Sequence, residues 1–372
     1  MRINIKVVMG LDDYFKTIRF IEKSSNMTNV DKSDRGDIQT SHPRVLWFRG
    51  VSDFNYSLVP SLFRSETHVE REDGFHVDYS PMHYAEDILT QHYIAKNYHF
   101  FRNEPSSRVE WLEVMQHHGV DTRALDWSES SVHSLLFAIE MFLDNKNHSE
   151  QQRDEAAPCV WVLNPAGMNR KIFENLKKDH DLIGKLIDEM QYTQSEKEHV
   201  LDNINRFSRF NFYDETKATS HMDYILNLSA INDEILRDRQ RMRQLLLDGG
   251  IVNPYYYLLS RIYSDGHILD DRKLPPLAVI QPYHSERIRS QRGVFTIFPF
   301  YGERKGDDDF RNIGMNPDAM DNNTVASECL YQIIIGNPRK MAYELLQNGM
   351  NTSWLYPEMP VVSSEIMKHG IY

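Results

Sequence analysis

The sequence predicts an α+β fold, with a mixed or antiparallel β core surrounded by helices and a helical insertion. Three observations lead there. Short runs of bulky apolar residues (VLWF at 45–48, CVWVL at 159–163, GVFTIF at 293–298, LYQIII at 330–335) are scattered along the chain. Segments with helical spacing lie between them. A charged helical stretch over 168–250, containing KIFENLKKDHDLIGKLIDEM and INDEILRDRQRMRQLLLDGG, interrupts the pattern. We therefore expect one domain over 1–372 with 168–250 inserted into it.

Each element has its own signal. Residues 3–22 give a strand and then an amphipathic helix, with Tyr14, Ile18 and Ile21 at helical spacing. The polar stretch 24–42 reads as a loop, and VLWF as a buried strand stopped by Gly50. Helices are expected over 80–101, carrying Glu86, and over 111–118. In the second, Trp111, Val114, Met115 and His118 share a face, and Gly119 stands where a C-cap belongs. TRALDW at 122–127 is short and extended, and 128–144 is a helix with Ser128 as its expected N-cap. A core strand at 157–165 ends in Asn-Pro. After the insertion come LAVIQPY, GVFTIFPF and LYQIIIG as strands, then a last helix over 340–350 with Gly349 near its end.

Composition excludes several classes. Acids outnumber bases 54 to 42, a net charge of −12, so an extended phosphate backbone is repelled on average. A small anion held by a few focused arginines is compatible with that field. No stretch reaches the ~18 apolar residues of a membrane span, and the N-terminus shows no signal peptide. The two cysteines, Cys159 and Cys329, sit in apolar strand-like runs, so we expect them buried and reduced, as in cytoplasm. His117 and His118 are adjacent, so on a helix they point about 100° apart and share a metal ion poorly. His92 and His99 lack a zincin spacing. No metal is expected.

Arg49 raises the central question. It stands between a Val-Leu-Trp-Phe run and a glycine, and an unpaired buried guanidinium is expensive. Either Glu86, Asp53 or Asp126 pairs with it, or it awaits the anion of a ligand, for which a planar guanidinium is suited. Gly50 would let that ligand approach the backbone. QHHGVDTRALDW gathers Gln116, His117, His118, Thr122, Arg123, Asp126 and Trp127 around a glycine, more polar groups than a core strand collects without a purpose. SERIRSQRGVFT at 285–296 sets Arg287, Arg289, Gln291 and Arg292 ahead of a clean apolar strand. It reads either as a solvated basic turn or as part of a pocket rim, with the Gln291 amide able to reach an amide or a ribose hydroxyl. In the helix LLFAIEMF, Leu135, Leu136, Ile139 and Phe142 form the core stripe.

WFRGVSDFNYSLVPSLFR at 47–64, WLEVMQHHGVDTRALDWSESSVHSLLFAIEMF at 111–142, ERIRSQRGVFTIF at 286–298 and NGMNTSWLYPEM at 348–359 together resemble the FRG-domain family. The likeness runs from about residue 40 to 360, interrupted near 168–250. A looser likeness joins WFRG and TRALDWSESSVHSLLFAIEMF to ADP-ribosyltransferases of the Arg–Ser–Glu type. That likeness implies a split sheet, NAD as ligand or co-substrate without a metal, and Arg49 as its phosphate clamp. Thr122 or Ser128 would lie near the ribose. The chain has no Ser-Thr-Ser, and Gln291 stands in the region of the family's catalytic glutamate. The acids left for that role are Glu86, Asp126 and Glu286, with His117 or His118 as proton acceptor. The resemblance further implies a bacterial cytoplasmic protein of toxin or anti-phage defence systems, with a nucleotide ligand and a protein acceptor as partners. The alternative is a module that senses a nucleotide, or binds another protein, without turnover.

Overall fold

The computed structural model describes residues 3–26, 46–64, 82–97, 107–143, 149–179, 191–209, 259–264, 268–269, 274–280, 285–303, 313–315 and 319–356, with isolated positions between them. The strands are β1 (Asn4–Val8), β2 (Trp47–Val51), β3 (Ala124–Ser128), β4 (Cys159–Leu163), β5 (Ile268–Leu269), β6 (Leu277–Val279), β7 (Gly293–Ile297), β8 (Phe300–Glu303), β9 (Ile313–Met315) and β10 (Leu330–Ile335). Seven of them form one sheet in the order β1-β10-β4-β2-β3-β7-β6, and β5-β8-β9 form a small second one. In the large sheet β1 runs parallel to β10 and the other neighbours are antiparallel. The fold is α+β with a mixed sheet, as the sequence predicts.

Strand alternation divides the core between the two faces of this sheet. Along β4, Val160 and Val162 join Val8, Tyr14, Ile18, Leu135, Ile333 and Leu345 on one face. Cys159, Trp161 and Leu163 join Trp47, Leu58, Trp127, Val294 and Phe298 on the other. The first cluster is covered by α1 (Leu11–Asn26), α4 (Ser131–Ala138) and the late helix Pro338–Gln347. Each such buried side chain contributes roughly 1.5–3 kcal/mol relative to exposure.

One pairing in the sheet is thin. β2 meets β4 over five registered pairs, and β3 meets β7 over five, but β2 and β3 share only Phe48↔Ser128. Beyond that pair the two strands part, and the sheet is split there.

Some expected boundaries shift. The helix α3 (Arg108–His117) starts earlier than predicted, because Ser107 accepts a hydrogen bond from Glu110 N–H at 3.2 Å and caps it. Gly119 follows at φ +77°, the left-handed turn expected of it. Ser128 is not the N-cap of α4. It stays in β3 as the partner of Gly293, and Ser130 caps the helix, accepting from His133 N–H at 3.3 Å. The expected single helix over 128–144 is broken at Ile139, and a short α5 (Glu140–Leu143) follows. Of the predicted helical stretch 168–250, the structure describes most of α7 (here Pro165–Lys178, after a short α6 at Glu150–Glu155) and α8 (Gln194–Arg209); 210–239 lie outside the described residues. Asn169 on α7 ties itself to β6, accepting from Ala278 N–H and donating to Ala278 O, both at 2.9 Å. The loop predicted over 24–42 lies mostly outside the described residues as well.

Cys159 and Cys329 are buried free thiols, pushed up to about 12 and about 11 chiefly by burial. Among the described residues, no helix is long and apolar enough to cross a membrane.

Candidate functional site

Where β2 and β3 part, a cleft of about 230 Å³ opens. β2 supplies Phe48, Arg49 and Gly50 to its lining, and β3 supplies Asp126, Trp127 and Ser128. The C-terminal turn of α3 contributes Gln116 and His117, and α4 contributes Ser134 and Phe137. The opposite wall is α9 (Glu286–Gln291) and β7, through Arg287, Ile288, Gln291, Gly293 and Phe295.

Arg49 is held at the seam. Its Nη1 donates to the Asp126 main-chain oxygen at 2.7 Å and lies 2.7 Å from Asp126 Oδ1. The backbone contact is local and follows from the split, because it falls where the β2–β3 register has ended. Both side chains reach the cleft, Arg49 being 18% and Asp126 55% exposed. Enclosure by the walls pushes the Asp126 carboxyl up. The charge and hydrogen bond of Arg49, with the aspartate's own backbone and Gln116, outweigh this and hold it below the ordinary carboxylate range. Gln116 is oriented from behind: Thr122 Oγ1 donates to its Oε1 at 2.6 Å, which turns the amide N–H₂ toward Asp126.

Gly50 has a packing reason besides the one its sequence position implies. A Cβ there would overlap the Ser134 carbonyl and come within 2.7 Å of Ala138 N. The missing side chain admits helix α4 against β2. Gly50 also lines the cleft.

The remaining expected site residues separate into two groups. His117 lines the cleft, its Nε2 3.3 Å from Ser285 Oγ. Trp127 is among the lining residues, but its side chain is buried and its N–H donates to Thr296 Oγ1 at 3.1 Å. Ser128 Oγ donates to Gln291 O at 2.6 Å, and Gln291 Nε2 donates to Leu355 O at 2.5 Å, so this wall is stitched together by its own polar groups. The others do not reach the cleft lining. Thr122 is buried behind Gln116. His118 caps α3, exposed, 3.0 Å from the Tyr93 hydroxyl, and partial burial with the nearby Arg287 charge lowers its pKa. Glu286 is 88% exposed, 3.7 Å from Arg289.

Glu86 and Arg123 form a second ion pair, away from the cleft and wholly buried. Arg123 Nε lies 3.0 and 3.1 Å from the two Glu86 oxygens, and both side chains are 0% exposed. Arg123 Nη1 donates to Phe298 O at 2.8 Å, and the guanidinium sits over the Phe300 ring at 4.8 Å. Arg108 Nη2 closes the other side of Glu86 at 2.9 Å. Both Glu86 oxygens are engaged by arginines and the side chain is fully buried, so it does not face a substrate.

Sequence reasoning missed several wall residues. Phe137 was the aromatic residue off the core stripe of α4, which is the signal that it faces elsewhere. Arg287, stacked on the Tyr356 ring at 4.7 Å, belonged to the basic turn but was not singled out. Phe48, Ser134, Ile288 and Phe295 carried no sequence signal beyond membership of an element. Their place depends on the split between strands 77 residues apart.

In charge, the lining sets two guanidiniums, Arg49 and Arg287, against one carboxylate, Asp126, in a chain of net charge −12. Four aromatic residues, Phe48, Trp127, Phe137 and Phe295, share the lining. Such a site accepts a flat ring and an anionic group together. Among the described residues, no three His, Cys, Asp or Glu side chains converge on a point where a metal could be held.

A family model, the FRG domain, matches residues 44–148. That segment supplies Arg49, Gln116, His117 and Asp126, while Arg287 and Gln291 lie outside it. No curated protein and no solved structure matches the chain.

Proposed function

Taking as premise that the chain carries an FRG domain, we propose that its cleft binds an NAD-like nucleotide and cleaves the bond between nicotinamide and ribose. One observation carries this reading: a positively balanced, aromatic-walled cleft, in an acidic chain, with a single carboxylate beside its anion anchor. At about 230 Å³ the cleft is smaller than the ~300–1,000 Å³ of typical small-molecule sites. It takes the nicotinamide riboside end, with the adenosine end outside. Arg49 engages the diphosphate, and the aromatic walls hold the ring.

The chemistry follows from charge. As the C–N bond at ribose C1′ breaks, its electron pair leaves with nicotinamide and positive charge builds on the sugar. Of the three acids considered, Asp126 alone lines the cleft, and its ionised carboxylate stabilises that charge. His117 takes the proton of the incoming nucleophile. Transfer to water gives nicotinamide and ADP-ribose, and transfer to a protein side chain gives ADP-ribosylation. A role in bacterial toxin or anti-phage defence, in the cytoplasm, goes with this activity.

A sensing module without turnover is the second reading. It is favoured by the wall opposite Asp126, where Gln291 and Arg287 offer no carboxylate. An assay of NAD consumption with calorimetric binding separates the readings. We expect wild type to bind and consume NAD and Arg49→Ala to do neither. Binding without consumption selects the sensor, and Arg49→Ala binding NAD as wild type does would overturn the assignment of the anchor.

A further inference from the structure

We propose that Asp126 is a built-in competitor for the anion site, and that it selects for ligands carrying more than one phosphate charge. The inference rests on the reading of Arg49 as the diphosphate anchor and adds to it.

The geometry is direct. Arg49 Nη1 spends itself on Asp126 twice, on Oδ1 and on the main-chain oxygen, each at 2.7 Å. Two-pronged recognition of a phosphate needs the outer edge of the guanidinium, and the Asp126 carboxylate occupies part of that edge. A ligand must therefore exchange its own oxygen for Oδ1. The exchange is feasible because the pair is open, with Asp126 55% exposed. Exposed pairs are weak and give way to a stronger anion.

The displaced carboxylate also has somewhere to rest. Gln116 already donates to Asp126, and Thr122 fixes the Gln116 amide by donating to its Oε1 at 2.6 Å. Asp126 keeps this hydrogen bond when Arg49 is taken. It then faces the cleft with its guanidinium partner withdrawn. A neutral ligand, or one with a single weak charge, offers too little to displace a carboxylate. A diphosphate brings two charges to the same edge. Asp126 thus acts as a threshold on ligand charge, and occupancy itself unmasks it.

The test uses the full chain and three probes, ADP-ribose, cyclic AMP (a phosphodiester with a single negative charge) and inorganic pyrophosphate, titrated calorimetrically at fixed ionic strength. Asp126→Asn keeps the shape and removes the competing charge, and Asp126→Ser is a second variant. We expect both to bind ADP-ribose and pyrophosphate roughly three- to tenfold tighter than wild type. We expect cyclic AMP, with its single charge, to gain most, so that the preference for the diphosphate shrinks. If wild type binds ADP-ribose and both variants bind it equally or more weakly, the competitor is refuted and the nucleotide cleft stands. If neither wild type nor the folded variants bind any of the three, both readings fall. Should the variants not fold, a wild-type crystal structure with ADP-ribose decides: an Arg49–Asp126 Oδ1 distance beyond about 4 Å supports the exchange, and an intact pair beside a bound diphosphate overturns it.

Discussion

Two arginine–carboxylate pairs meet at β3 and have opposite character: Arg123, just ahead of the strand, pairs with Glu86 on α2 (Met82–Asn97), and Asp126, within the strand, pairs with Arg49 on β2. Arg123–Glu86 is sealed, 0% exposed on both sides, and closed by Arg108, the Phe298 carbonyl and the Phe300 ring. Arg49–Asp126 is 18% and 55% exposed and opens onto a cleft. In sequence, both arginines sit beside apolar strand residues and look alike. Burial and the number of partners distinguish them. A fully satisfied buried pair can only hold the fold, and a partly open pair still has an edge to give.

The comparison breaks first at Glu86. Replacing it with alanine strands the Arg123 charge in the core, and we expect a loss of about 3–5 kcal/mol in urea unfolding. A loss below ~1 kcal/mol would mean that the sealed pair is no more structural than the open one.

Glu113 on α3 sharpens the comparison from the other side, because it is a buried acid without the partners Glu86 enjoys. It is 2% exposed, and among the described residues neither carboxyl oxygen has a hydrogen-bond partner. Burial, with the nearby Glu110 charge, pushes it up to about 8. A carboxyl that holds its proton more tightly folded than unfolded loses stability as pH rises from its ordinary 4.5 through about 8. Glu113→Gln should therefore match wild type near pH 5 and exceed it by on the order of 3 kcal/mol at pH 8. Equal unfolding midpoints at both pH values would show that Glu113 ionises freely.

The smallest expected stability change is at the open pair. Arg49→Ala should cost about 1 kcal/mol or less in the same unfolding experiment, while abolishing NAD binding. A loss as large as that at Glu86 would make the open pair structural and remove its functional meaning.

Much of this contrast was out of reach of the sequence. The strands around Arg49 and Asp126 were legible from their apolar runs, although β2 continues through Gly50 to Val51 instead of stopping there, and α3 was legible from its spacing and from Gly119 after it. The burial of Glu113 was not. Positions 109–115 are all buried, so the charged residues that normally mark the solvent side of a helix mark nothing here. The Glu86–Arg123 pair spans 37 residues, and no local pattern joins its members. Gly50 looked like room for a ligand because the chain does not reveal that α4 crosses β2 at that point. Local propensity reaches the elements, and the partnership of polar groups is decided by topology.

The single Phe48↔Ser128 pairing between β2 and β3 has one more consequence. A guest entering that gap wedges apart no ladder, because the neighbouring main chains have already turned away from each other. The toll at the entrance is one ion pair, and the rest of the sheet can host the visitor with its own bonds untouched.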